Sequence, residues 1–251
     1  MTVDLSSKVA LVTGARTGLG AAIAQTLGAA GATVVASGRR AGDCAAIADA
    51  IAGAGGKALE VALDVADLAA IPGRIAALIE RTGRLDIVVN NAGVIEPMAP
   101  IGSIDPSAFD AALRTNVSGP AAIVGAAWPH LEGGGRIINI LSGAALGPLQ
   151  GWAAYCAGKA ALLMFTRAAD LEGKERNIRS IGFAPGLVDT DMQAKIRAAH
   201  INQISDIPQS KLASAEIPAR AVAWLASGAG DDYAGTMVDV RNEEFRARAG
   251  L

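Results

Sequence analysis

The sequence predicts an α/β fold, a single-domain, doubly wound parallel sheet covered by helices on both faces. Three observations carry that reading. Short apolar runs alternate with helical stretches along the whole chain. No solenoid repeat, low-complexity tract or linker interrupts them. The 251 residues are 51% hydrophobic and only 18% charged, which suits a sizeable core and argues against disorder. Alternation of this kind leads to a parallel sheet because each right-handed crossover between parallel strands needs a covering helix. One domain over residues 1–251 is expected.

The elements follow in order. Residues 8–13 (KVALVT) read as a buried strand, followed by a glycine-rich turn and a helix over 19–30 that stops at Gly31. Residues 32–37 (ATVVAS) form a second strand and 43–52 a helix. Strands at 58–63 and 86–89 flank a helix over 68–81. One long helix is expected across 106–128, then a strand at 136–141, a helix over 152–175 and a strand at 178–183. An apolar helix near 219–226 carries Trp224 into the core, and a last strand falls near 236–240. Residues 187–212 break the rhythm. A long irregular stretch inside a compact domain usually serves as a binding loop, so this one is expected to act as a lid.

Composition removes several function classes. A net charge of −2 gives no electrostatic case for nucleic acid or an anionic membrane. The N-terminal residues lack a basic region followed by a long apolar one, and no run of 18 apolar residues occurs, so neither a signal peptide nor a membrane span is expected and the chain reads as cytoplasmic. Cys44 and Cys156 form no disulfide framework and are expected as small buried thiols. His130 and His200 have no carboxylate or cysteine partner at ligand spacing, so no metal is expected.

Three motifs carry chemistry. The first, Thr13-Gly14-Ala15-Arg16-Thr17-Gly18-Leu19-Gly20, lies between a strand and a helix. Gly14 permits a tight turn, Gly18 permits close approach of a pyrophosphate, and Gly20 lets the helix pack against the sheet. The helix N-terminus then offers free N–H groups to phosphates. The second, Asn90-Asn91-Ala92-Gly93, ends the fourth strand, where ligands of open α/β sheets bind; its two amides and small Ala-Gly pair suit a turn lying against a flat ring. The third joins Ser142, just past the fifth strand, to Tyr155 and Lys159, which share a helix face four residues apart. A phenol is a poor acid–base group near neutrality, and a neighbouring ammonium is expected to lower its pKa. The serine hydroxyl would hold a substrate oxygen while the tyrosine exchanges its proton. Trp152 reads equally as a wall of the cleft or a packed aromatic.

In this order, T-G-x-x-x-G-x-G, N-N-A-G, Ser and Y-x-x-x-K, the motifs resemble the short-chain dehydrogenase/reductases, over residues 8 to about 240. The resemblance implies a Rossmann-like fold and a nicotinamide-dependent oxidoreductase, similar to 3-oxoacyl-acyl-carrier-protein and carbonyl reductases, acting on a small-molecule carbonyl or alcohol. It implies Ser142, Tyr155 and Lys159 as the catalytic trio, with Lys159 also bridging the nicotinamide ribose, and Asn116 as the helix asparagine that holds a relay water. It further implies Asp64 and Val65 at the adenine, Val188 near the carboxamide and Thr190 near the pyrophosphate in a P-G-x-x-x-T turn that starts at Pro185 and Gly186. Gly158, Gly182 and the ending Asp239-Val240-Arg241-Asn242-Glu243-Glu244-Phe245 depart from the family pattern. The alternatives are an isomerase or dehydratase use of the scaffold and a non-catalytic dinucleotide sensor; the second should have lost a member of the trio.

Cofactor choice is read at the end of the second strand. An acidic residue there binds a ribose 2′-hydroxyl, and an arginine accommodates a 2′-phosphate. Here stand Gly38-Arg39-Arg40, with no carboxylate at that point to repel a phosphate. NADP(H) is therefore expected over NAD(H), with Arg39 as the main determinant and Arg16 adding to the positive field. Small apolar residues on the helical stretches 106–128 and 152–175 suit pairing, so a homo-oligomer, dimer or tetramer, is expected.

Overall fold

The computed structural model describes residues 3–251, so the expected start of the domain at residues 1 and 2 lies outside them. Seven parallel strands form one sheet: β1 (Val9–Thr13), β2 (Thr33–Gly38), β3 (Lys57–Ala62), β4 (Ile87–Asn90), β5 (Arg136–Ile140), β6 (Arg179–Ala184) and β7 (Met237–Asp239). Their order is β3-β2-β1-β4-β5-β6-β7. The winding reverses between β1 and β4, and a ligand crevice opens beyond the carboxyl ends of strands at such a point. The central strands are buried on both faces, which is why they read as unbroken apolar runs rather than alternating ones.

One face is covered by α1 (Gly18–Ala29) and α2 (Ala45–Gly53), with α8 (Glu216–Ala226) and α9 (Glu243–Ala249) beside them. Ile23, Leu27, Val222, Trp224 and Phe245 join the sheet in that core. The other face carries α3 (Ile71–Thr82), α4 (Pro106–Leu113), α5 (Gly119–Ala127) and α6 (Ala153–Gly173), with Ile71, Ile75, Leu78, Ile123 and Val124 in its core. No helix of the described residues is long and apolar enough to cross a membrane.

Three expectations need correction. The helix foreseen across 106–128 is interrupted by a wider π turn at Arg114–Ser118. Pro120 has no N–H to return to the Asn116 carbonyl, so regular α-helical bonding fails one turn earlier. Gly119 sits there because a Cβ would overlap the Val65 carbonyl oxygen. Second, the stretch 187–212 is not irregular throughout. It contains α7 (Asp191–Ala199), which buries only Gln193 and Ile196 and so left little periodicity to read. Third, the tail forms α9, with the Asn242 side chain accepting from Phe245 N at 2.8 Å and Gly250 ending the helix at φ +66°. Phe245 is fully buried against Phe183, Trp224 and Tyr233, with ring centres 5.5–6.2 Å apart. Cys44 is buried as expected, whereas Cys156 is only half-buried, packed against the cluster that holds Trp152 and Tyr155.

Candidate active site

The glycine-rich turn is shaped by two residues in left-handed conformation, Gly14 at φ +64° and Gly18 at φ +58°. A Cβ on Gly14 would stand 3.0 Å from Ala92 Cα, and one on Gly20 would overlap the Gly14 carbonyl oxygen. Thr13 stitches this turn to the one after β4. Its Oγ1 accepts from Asn91 N and Ala92 N, both at 3.0 Å, and donates to Val89 O. The two amides of the second motif are hydrogen-bonded within the protein. Asn91 Nδ2 donates to Thr13 O and Gly14 O at 2.9 and 3.1 Å, clamping the glycine turn. Asn90 points into the sheet, donating to Asn139 Oδ1 at 2.8 Å, and Asn139 donates onward to Thr166 Oγ1 on α6 at 2.9 Å. Backbone donors and acceptors of the two turns had to be satisfied somewhere, and these side chains are the nearest partners.

A cleft of about 540 Å³ runs across the switch point, within the ordinary range for small-molecule sites. It brings together Gly14, Arg16, Thr17, Gly18, Leu19 and Gly20 from the first turn with Arg39, Asp64 and Val65 from the ends of β2 and β3. Asn91, Ala92 and Gly93 line its middle, and Pro185, Gly186, Val188 and Thr190 close the far wall. Ser142, Tyr155 and Lys159 stand at the same end as Ile95, Trp152, Met192 and Ile196. Of the catalytic and cofactor-binding residues foreseen from sequence, Asn116 lies behind the lining.

Tyr155 and Lys159 are both buried, with Lys159 Nζ 5.5 Å from the centre of the tyrosine ring. Lys159 donates to Ile140 O at 2.8 Å. Ser142 Oγ accepts from Ala144 N at 3.2 Å, holding the turn that follows β5. Asn116 on the π turn grips the strand beyond Gly93, with Oδ1 accepting from Val94 N and Nδ2 donating to Val94 O, each at 2.9 Å. Gly93 and Gly158 make this packing possible. A Cβ on Gly93 would come 3.0 Å from Asn116 Oδ1 and 3.6 Å from Lys159 Nζ, and one on Gly158 3.2 Å from Asn116 Cβ. The Gly158 departure is therefore a close helix contact.

The electrostatics differ from expectation. Burial pushes the Tyr155 phenol up to about 12, opposed by the polar hydroxyl of Ser142, and burial pulls the Lys159 ammonium down to about 8. Desolvation is the leading cause at both groups. The tyrosine at rest is a neutral acid rather than a phenolate.

The other end of the cleft corrects the sequence as well. Arg16 and Arg39 are exposed on its rim, but a carboxylate stands with them: Asp43 also lines the cleft. It lay five positions beyond Gly38 in sequence and gave no signal there. At the mouth, Glu96 and Gln150 are not in the lining. Glu96 pairs with Lys195 of α7 at 2.6 Å, and the Gln150 carbonyl accepts from Asn202 at 2.8 Å, so both tie the segment around α7 to the body. Trp152 is a cleft wall and a packed aromatic at once, edge-on to Tyr155 at 5.8 Å. Among the described residues no group of three or more His, Cys, Asp or Glu gathers as metal ligands.

The pattern of the short chain dehydrogenase family matches residues 8–201. Among curated relatives, a benzil reductase forming (S)-benzoin from Bacillus cereus is 35% identical over 54% of this chain and 59% of that enzyme. The chain thus spans little more than half the length of that relative, and about half that of two yeast oxidoreductases and of a benzil reductase from Bacillus subtilis. A cis-4-hydroxycyclohexanecarboxylate dehydrogenase from Sinomonas cyclohexanicum is 34% identical over 94% of this chain and 95% of its own. Among solved structures, a gluconate 5-dehydrogenase from Burkholderia cenocepacia in complex with NADP and tartrate superposes with a TM-score of 0.87 at 29% identity, covering 95% of each chain.

Proposed function

The chain belongs to the short-chain dehydrogenase family, and from that premise we propose that it is an oxidoreductase moving a hydride between NADP(H) and a carbonyl or secondary alcohol. The observation that carries this reading is the buried Tyr155–Lys159 pair beside Ser142, at the end of a cleft whose other walls are built for a dinucleotide. The residues fit that group. The side-chain-free cradle of Gly14, Gly18 and Gly20 faces the cleft at the first turn of α1, where unpaired N–H groups favour phosphate oxygens. Asp64 and Val65 would hold the adenine, Asn91 to Gly93 the middle of the cofactor, and Pro185 to Thr190 its nicotinamide half. When bound, the dinucleotide supplies or accepts the hydride.

The chain's own residues manage the proton. Ser142 Oγ orients the substrate oxygen, and Tyr155, kept as a neutral phenol by burial, donates its proton to that oxygen during reduction. Lys159, held by Ile140 O, stabilises the phenolate left behind. Asn116 has both amide atoms committed to Val94, so the group it offers to a relay is its main-chain carbonyl, to which Pro120 returns no N–H. Ile95, Trp152, Met192 and Ile196 exclude water and favour an apolar ketone.

Arg39, with Arg16, is assigned to the 2′-phosphate. The segment 187–212 serves as the lid. A second copy of the chain covers α6, whose Met164 and Leu171 are 60% and 77% exposed; light scattering should give at least a dimer, and a monomeric mass at micromolar concentration would remove that assignment. The experiment that tests the activity is a panel of ketones, diketones, sugars and 3-oxoacyl thioesters with NADPH and NADH, followed at the nicotinamide absorbance. Turnover of at least one ketone supports the reading, and none across the panel contradicts it.

A further inference from the structure

β2 ends in a residue without a side chain, and a side chain from elsewhere takes its place. Gly38 is buried, and the space beside its Cα is filled by Asp43: a Cβ on Gly38 would collide with Asp43 Cβ and lie 3.0 Å from Asp43 Oδ2. The carboxylate is fixed there because Oδ2 accepts from Arg40 N at 3.0 Å, closing the turn that leads into α2. Oδ1 has no hydrogen-bond partner among the described residues, and Asp43 makes no ion pair within 4 Å with Arg16, Arg39 or Arg40. Asp43, Arg16 and Arg39 all line the same end of the cleft.

We propose that Asp43 is a specificity-determining residue that supplies, from outside the strand, the carboxylate that selects a ribose hydroxyl against a phosphate. The inference rests on the reading of the cleft as a dinucleotide site. A carboxylate accepts hydrogen bonds only, so it rewards a ribose hydroxyl that donates and opposes a phosphate dianion. A guanidinium does the reverse. With both charges unpaired at one subsite, the protein accepts both nicotinamide cofactors, and the Arg39–Asp43 balance sets the ratio. Gly38 belongs to the same device: its lack of a side chain is what admits Asp43.

Binding of NADP⁺, NAD⁺ and the fragment 2′,5′-ADP, measured by calorimetry without substrate, tests this. Asp43→Asn preserves the shape and an oxygen for Arg40 N while removing the charge. It should tighten 2′,5′-ADP and NADP⁺ and weaken NAD⁺, moving the NADP⁺/NAD⁺ affinity ratio about ten- to a hundredfold, the span of one charge-assisted hydrogen bond. Asp43→Ser, which retains a short capping oxygen, should shift the ratio in the same direction and guards against a folding defect in the first variant. A ratio that moves less than twofold in both variants, or both affinities falling by one common factor, overturns the proposal, because a purely structural turn would behave so. Wild-type protein that binds none of the three ligands overturns this inference together with the dinucleotide reading. Normal wild-type binding with an unmoved ratio overturns the Asp43 assignment alone.

Discussion

The two ends of the cleft are held in opposite ways. At the catalytic end Lys159, Asn116 and Asn139 are buried and hydrogen-bonded: Lys159 to Ile140 O, Asn116 to Val94, and Asn139 to both Asn90 and Thr166. At the ribose end Arg16 and Arg39 stand exposed, without ion pairs among the described residues, with Asp43 half-buried between strand and helix. The difference follows from the task each would have. Proton transfer needs fixed geometry and low dielectric, where a small displacement is expensive. Discrimination between a hydroxyl and a phosphate needs only the sign of a local charge, which an exposed side chain can provide.

The comparison predicts effects that shrink along the cleft. Tyr155→Phe should lower turnover by about a thousandfold or more, near the upper range for loss of a general acid, while cofactor affinity stays within about twofold. Retention of near-normal turnover on the best ketone would break the catalytic end outright. The pH profile sharpens the same end. Lys159, pulled down to about 8, loses its proton as pH rises, and the Tyr155 phenol, near 12, does not ionise in that range. Reduction should therefore fall about tenfold per pH unit above roughly 8. Lys159→Arg, if active, should lose that alkaline limb because a guanidinium stays charged; a limb unchanged in the variant assigns it to another group.

Effects at the ribose end should be smaller and selective. Arg39→Ala should reduce kcat/KM with NADPH about ten- to a hundredfold and leave NADH nearly unchanged. A wild type that prefers NADH, or a ratio indifferent to the substitution, would take the phosphate role from Arg39. The smallest effect belongs to the segment that spans the mouth. Its ties to the body include the exposed Glu96–Lys195 pair and the Asn202–Gln150 contact, and exposed pairs contribute only about 0–1 kcal/mol. Hydrogen exchange over 187–212 should slow several-fold on cofactor binding, and equal exchange with and without it would argue against a lid.

What could be read from the sequence follows from how local its cause was. The core strands were legible because a strand buried on both faces is a short apolar run, and β1, β4 and β5 are such runs. The tail helix also has local signals, Asn242 before two glutamates, two arginines in its last turn and Gly250 after it, but at seven residues it is too short to show a hydrophobic period. The π turn needed two facts together: that Pro120 withholds a bond from Asn116, and that Gly119 must pass under Val65. Only the first lies in the chain's own order.

By itself, then, the sequence determined a doubly wound parallel sheet and the motifs that line the cleft at its strand ends, because hydrophobic period, glycine placement and the alternation of strands and helices are properties of the chain. Tertiary structure decided what those residues do once gathered. It turned Asn90 away from the cleft toward the Asn139 side chain, and made Asn91 a clamp on the backbone carbonyls of Thr13 and Gly14. It raised the Tyr155 phenol instead of lowering it, because burial depends on everything packed around the ring rather than on the lysine four residues away. And it brought Asp43 beside Gly38, where a missing side chain left the room for a charge that strand-end spacing alone does not reveal.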